Sequence, residues 1–360
     1  MIRRTAALAL SKGVGVAVTV SGTSHAQARN RDSKGARGLM RPRRLGEALL
    51  ALFILGPVSV HGYEGDPSSS DAAGPAVAAH PGTAVPDTTA QDQDRPSPRD
   101  CSLTPRSLTR TSAPVEPLAS TQAHNDYDQC RPLYDALDRG FTSIEADVWL
   151  MDGRLLVGHE RGDAVAGRSL ERLYLSPLES RTRMNSGSVY AGWEGSFELL
   201  IDVKSEATAT YAALDELLRR HHHIMTAFTH DRTIPRAVTV IVSGNRDRGA
   251  MSSPALRYAG FEGRLEDLNT DVPASFMPTV GADWRETFTW DGAATMPKAQ
   301  ELRLRRLVAK AHAHGRTMRF WGTPDDAGAA RDAVWSMLLG AGVDQISTDD
   351  VAGLATYLAS

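Results

Sequence analysis

Glu145 and Asp147 stand two residues apart in SIEADVWL, a stretch that otherwise reads as a β-strand. Side chains at that spacing leave a strand on the same face, so the two carboxylates point together. On an edge strand they would simply face solvent. In a parallel barrel the outside is covered by helices, and the pair must then enter the interior or sit at its mouth. Unpaired anions are costly there, which makes a divalent cation the natural compensator. Asp202, closing the run LLID, adds a third oxygen ligand. Hard oxygen donors without clustered cysteines favour one Mg2+ or Ca2+, with ordinary ion pairing as the competing reading.

Two histidines bracket these acids. His124 follows the first expected strand, and His159 follows the hairpin DGRLLVGH. Imidazoles titrate near neutrality, so one can take a proton from an attacking oxygen while the other gives one to the leaving oxygen. Lys204 and the cation would hold phosphate oxygens. This set fits phosphodiester cleavage, by water or by a hydroxyl of the substrate; the latter would give a cyclic phosphate. A barrel that binds without catalysing is the contrasting class.

The elements that must position these groups alternate between strand and helix patterns. Strands are expected at 118–123, 142–150, 154–159, 197–204, 237–243, 316–320 and 343–347, with helices at 132–139, 208–220, 298–314, 327–339 and from 351. The stretch 250–295 has no steady period. Such βα alternation over roughly 240 residues predicts an α/β fold, an irregular TIM (β/α)8 barrel spanning 118–360. The HHH run at 221–223 is expected at the opposite end of the strands and outside any metal site. His312 and His314 read as helix-terminal charges, and Asp349 and Asp350 as caps of the final helix.

The front of the chain is different. It is poor in aromatics and rich in Ala, Gly, Ser, Thr, Pro and Arg, so it buries too little apolar surface to offset the entropy of ordering. Residues 65–117 read as a disordered linker. Residues 40–64 follow a signal-like pattern, and since Met40 opens it, 1–39 can be an upstream extension from a misplaced start. Secretion or another extracytoplasmic place is expected, with 45–60 as an available membrane anchor and membrane-surface contact allowed. Two cysteines, Cys101 and Cys130, permit a disulfide. The net charge of -3 gives nucleic-acid binding no electrostatic support, and nothing fixes an oligomeric state.

AHNDY at 123–127, SIEADVWLMDGRLLVGHE at 143–160, LYLSPL at 173–178, LLIDVKSE at 199–206 and GVDQISTDD at 342–350 resemble the phospholipase-C-like phosphodiesterase superfamily. Within it the chain is similar to glycerophosphodiester phosphodiesterases and to a fungal and bacterial group of secreted or membrane-associated proteins. The resemblance implies an irregular TIM barrel, catalytic histidines at His124 and His159, and a divalent metal on Glu145, Asp147 and, by type, Asp202. It also implies a phosphodiester or phospholipid-derived substrate. There are two departures. The family's usual His-Arg-Gly is His124-Asn125-Asp126 here, so Asn125 can replace the arginine's hydrogen bonding but not its charge; a turn or cap is its plainer role. Asp202-Val203-Lys204 is closer to venom-type phospholipase D, whose late-barrel tryptophan is matched by Trp321 as a wall of the site.

Overall fold

The computed structural model describes residues 115–360. The 1–39 extension, the 40–64 signal-like segment and nearly all of the 65–117 linker lie outside the described residues. One expectation needs correcting. Among the described residues no helix is long and apolar enough to cross a membrane. The longest has 16 residues, short of the ~20 apolar residues that a span requires. The expectation of a membrane anchor is therefore withdrawn, and the 45–60 segment invoked for it lies outside the described residues.

The chain enters through β1 (Leu118–Ala123), passes a short α1 (Tyr134–Leu137), and forms β2 (Phe141–Met151) with its antiparallel partner β3 (Arg154–Val157). Next come α2 (Ser176–Met184), β4 (Phe197–Val203), α3 (Ala207–Arg220) and a small hairpin of β5 (Ala227–Phe228) and β6 (Thr233–Ile234). The irregular quarter holds β7 (Val238–Gly244), α4 (Arg248–Ser252), β8 (Ala259–Gly263), β9 (Thr279–Asp283) and α5 (Trp284–Thr287). Regular alternation resumes with α6 (Lys298–Ala313), β10 (Thr317–Trp321), α7 (Ala329–Ala341), β11 (Gln345–Thr348) and α8 (Val351–Leu358).

Strands β1, β2, β4, β7, β8, β9, β10 and β11 pair in parallel in that circular order, and β1 closes the ring by pairing with both β2 and β11. This is the expected (β/α)8 barrel. It is irregular because β3 adds an antiparallel strand outside the ring, and because β8 and β9 are joined by a 3-10 turn at Leu265–Asn269 instead of an α-helix.

Local chemistry explains two departures from the expected elements. The helix expected at 132–139 shrinks because Leu133 has φ 68, a left-handed conformation that cannot continue a helix. Its N–H is held by the Asp126 carboxylate at 2.5 Å. The unreadable 250–295 stretch contains β8 and β9, each five residues long and interrupted by glycine. Those glycines make room. A Cβ at Gly281 would collide with the carboxylate of Glu262 and crowd Trp321, and one at Gly260 would meet Pro278. The hydrophobic alternation that reveals a strand is lost where a neighbour fills the space.

The apolar core lies between the barrel and its helices. Ile144, Ala146 and Val148 of β2 and Leu199, Ile201 and Val203 of β4 belong to it, packed with residues such as Leu214, Leu218, Trp284 and Trp335. The inward positions are more polar and lead directly to the site.

Candidate active site

The register of β2 against β4 sets Asp147 opposite Asp202, with Glu145 one inward position deeper, opposite Leu200. Side-chain oxygens of Glu145, Asp147 and Asp202 lie within 4.8 Å of one another. Glu145 and Asp147 are buried, whereas Asp202 is partly exposed. Strand spacing thus delivers the two same-face carboxylates as expected, and the parallel register supplies the third.

Positive charge around this trio is incomplete. Lys204, just beyond β4, places its ammonium 3.1 Å from Asp147 and 3.5 Å from Asp202. Arg319 of β10 is buried beneath, 3.5 Å from Glu145 but 2.6 Å from Glu262, so the second acid claims it first. Burial pushes the Asp147 carboxyl up to about 8; Lys204 opposes this, while Asp202 and Glu145 reinforce it. Asp202 is raised by the same burial. Lys204 is held well above its usual value, since the attraction of Asp147 and Asp202 outweighs its burial. Three carboxylate oxygens with this residual negative charge fit a hard divalent cation.

His124 follows β1 directly, and its N–H bonds to the carbonyl of Thr348 on β11. Its Nδ1 lies 2.9 Å from Asp349 Oδ1, and its Nε2 lies 3.7 Å from Glu145. Burial alone would lower the histidine's pKa, but Glu145 and Asp349 outweigh it and push it up to about 9. Asp349 is itself fixed, its N–H bonding the Asp325 carboxylate at 2.7 Å in the loop after β10. A carboxylate on Nδ1 directs the other ring nitrogen toward the acidic trio.

His159 lies beyond β3, on a loop tied to the site by a 3.2 Å bond from the Gly158 N–H to the Asp147 carbonyl. The Trp149 indole steadies the same loop through the Gly158 carbonyl at 3.1 Å. The His159 ring pairs with Glu160 at 3.1 Å and is partly exposed. Its backbone is thus held at the carboxylate end of the barrel, while the contact of its side chain is with Glu160.

Asn125 sits at φ 46 and starts a 3-10 turn without capping it through its side chain. Its amide reaches His124 Nδ1 at 3.0 Å, and its Oδ1 lies 2.6 Å from the Tyr127 hydroxyl, which also lies 2.8 Å from Asp147. Trp321, at the end of β10, lies against two guanidinium groups, Arg264 at 4.9 Å and Arg319 at 5.0 Å from its ring centre.

Sequence reasoning missed several members. Asp349 was expected to cap the last helix, but Asp350 does that alone, accepting the Gly353 N–H at 2.9 Å. Asp349 instead orients a histidine 225 positions away. Arg319 gave no signal because it has no ionisable neighbour on its own strand, and Glu262, two residues from Arg264, lay in the 250–295 stretch that had no readable period. Tyr127, inside AHNDY, was visible but had no assigned partner. The HHH run forms no part of the carboxylate group: His221 and His223 grip Glu179 at 2.7 and 3.2 Å, tying the end of α3 to α2. His312 pairs with Asp344 at 2.8 Å. Cys130 is disulfide-bonded, and the other cysteine, Cys101, lies outside the described residues.

The chain is similar to known proteins. Residues 109–254 match the AIM6-like phosphodiesterase domain, and residues 318–352 the glycerophosphoryl diester phosphodiesterase family. The chain is 30% identical over 292 residues to "Altered inheritance of mitochondria protein 6" of Eremothecium gossypii, covering 72% of this chain and 74% of that one. It is 27% identical over 277 residues to the homologue of that protein in Arthroderma benhamiae, covering 70% and 87%. A solved glycerophosphoryl diester phosphodiesterase from Parabacteroides distasonis is 14% identical, with a TM-score of 0.41 and coverage of 68% and 87%. The two family matches fall on the glycerophosphodiester side of the expected resemblance and not on the venom-type side.

Proposed function

The chain belongs to the AIM6-like phosphodiesterase family, and from that premise we propose that it is a metal-dependent phosphoric diester hydrolase acting on glycerophosphodiesters or phospholipid head groups. The observation that carries this reading is the convergence of Glu145, Asp147 and Asp202 within 4.8 Å beside His124. Mg2+ or Ca2+ held by these three carboxylates would supply charge neutralisation at the phosphate oxygens. Lys204, already 3.1 Å from Asp147, holds a non-bridging oxygen from the protein side.

His124 and His159 divide the proton transfers. Asp349 occupies Nδ1 of His124, which leaves Nε2 to exchange a proton with the substrate. His159 serves from the hairpin loop anchored at Asp147. One takes the proton of water or of a substrate hydroxyl; the other gives a proton to the departing alcohol. Asn125 accepts from the Tyr127 hydroxyl, adjoins His124 and adds no charge of its own. Trp321 walls the site. A lyase giving a cyclic phosphate, by attack of a hydroxyl of the substrate in place of water, is the second reading.

Phosphorus NMR of products from glycerophosphodiesters, lysophospholipids and sphingomyelin, with Mg2+, Ca2+ or chelator, tests all of this. Metal-dependent release of a phosphomonoester is expected, and a cyclic phosphate as final product selects the lyase. Lack of turnover on every diester with metal bound would sink the proposal. Activity untouched by His124→Ala and His159→Ala would leave a binding barrel.

A further inference from the structure

Beside the acidic trio the barrel opens into a cavity of about 900 Å3, bordered by Trp149, Arg161, Lys204, Glu206, Arg246 and Phe261. Gly244 forms part of the wall shared with the site, since a Cβ there would collide with the Asp202 carboxylate. Lys204 belongs to both spaces. The cavity therefore continues from the place where a scissile phosphate would lie.

Among the residues that border it, positive charge is in excess. Three cations border it against one carboxylate, Glu206, and that carboxylate is spent on α3, accepting the N–H groups of Thr208 and Ala209 at 3.0 and 2.8 Å. Arg161, exposed on the His159 loop, has no ion-pair partner among the described residues. Arg246, following β7, gives one N–H to the Gly244 carbonyl at 2.9 Å and pairs with no carboxylate among the described residues. Its Nε is buried without a hydrogen-bond partner. A buried charged donor left unmatched is costly. Burial and nearby Arg264 lower the pKa of Arg246, and the carboxylates of Glu262, Asp202 and Asp267 offset this only in part.

We infer that this cavity receives a phosphomonoester carried on the alcohol arm of the diester, held by Arg161 and Arg246 while Lys204 and the acidic trio engage the scissile phosphate. The inference rests on the phosphodiesterase reading above. Two guanidinium forks suit a phosphate dianion better than a single carboxylate, and the volume leaves space for a polyol ring bearing it. A quaternary ammonium head group fits poorly. Three cations repel it, and the ring of Phe261, an aromatic face available to cradle it, already carries Arg246 at 4.8 Å and Arg248 at 5.5 Å.

The test compares glycerophosphoinositol with glycerophosphoinositol 4-phosphate on the Mg2+-loaded full chain. Wild type should favour the phosphorylated diester in kcat/KM by roughly tenfold or more, the value of charge-assisted bonds to one added anion. Arg161→Gln combined with Arg246→Gln should bring that ratio toward one; if the pair does not fold, Arg161→Gln at its exposed position should still lower the ratio. Equal rates in wild type, or an unchanged ratio in the variants, overturns the inference and leaves the phosphodiesterase reading intact. If neither diester is cleaved, that reading fails. Calorimetry with inositol 4-phosphate then decides the cavity: binding weakened by the substitutions upholds it, and no binding to wild type overturns it.

Discussion

Along β2 and β4, the side chains that turn into the barrel and those that turn toward the helices are both largely buried, but they obey opposite chemistry. Outward, Ile144, Ala146, Val148, Leu199, Ile201 and Val203 join a continuous apolar layer. Inward, the polar groups connect into one network: Gln122 bonds Ser143 at 3.2 Å, Glu198 accepts from Gln345 at 2.7 Å, and Arg319 joins Gln122 to Glu262 at 3.0 and 2.6 Å. A TIM barrel interior is more often filled by branched aliphatic side chains. The outer layer is tolerant of shape because burial there is roughly proportional to area. The inner one is not, because each buried polar atom needs its own partner. The difference suggests that the interior serves as a rigid footing for the charged mouth, with Glu145 standing on Arg319.

The comparison can be broken most severely at the mouth. Chelation, or Asp202→Asn, should reduce phosphodiester turnover to background while far-ultraviolet circular dichroism is unchanged; retained turnover in chelator would remove the cation from the mechanism. His124→Ala should lower kcat by about 10^2 to 10^4, the usual worth of a positioned proton-transfer group, again with the fold intact. Asp349→Asn should cost less, through kcat more than KM, because it disturbs the orientation and raised pKa of the ring but leaves the ring in place.

One layer deeper the effect should pass from rate to stability. Glu262 is held at about 2, because Arg319 and Arg264 overcome the upward push of its burial. Its folded value lies below the unfolded one, so its contribution is present above the ordinary glutamate range and is lost as pH falls toward 2. Glu262→Gln should strand Arg319 and cost about 3–5 kcal/mol in denaturant unfolding at pH 7, with the penalty shrinking in acid. A penalty independent of pH would separate Glu262 from the ion pair.

In the outer layer, Leu199→Ala should cost about 2–5 kcal/mol yet leave turnover per folded molecule unchanged. A specific loss of metal affinity there would abolish the distinction between the layers. The smallest effect should come from Asp126, whose carboxyl burial raises to about 7 although the Leu133 N–H pulls it down. Here the folded value lies above the unfolded one, so stability is lost as pH rises between them. Asp126→Asn should therefore gain in Tm relative to wild type between pH 5 and pH 8, by roughly 2–4 °C per kcal/mol. A constant difference across that range would show that the side chain does not titrate.

The barrel class and the strand that carries Glu145 and Asp147 could be read from the sequence, as could Asp202, Lys204 and His124 as candidates that the structure brings together. These were legible because their information is local: period-two spacing, strand-helix alternation and short motifs at strand ends. The tertiary structure alone decided which acid orients His124, since Asp349 and Asp350 are adjacent and look alike until the ring closes β11 against β1. It alone placed Arg319 under Glu145 and Glu262 beside it, in strands whose pattern is broken by glycines that give neighbouring side chains room. A barrel interior is assembled from one or two residues of every strand. Each strand shows its own periodicity in sequence, but the partner that satisfies a buried charge stands on another strand and is set by register.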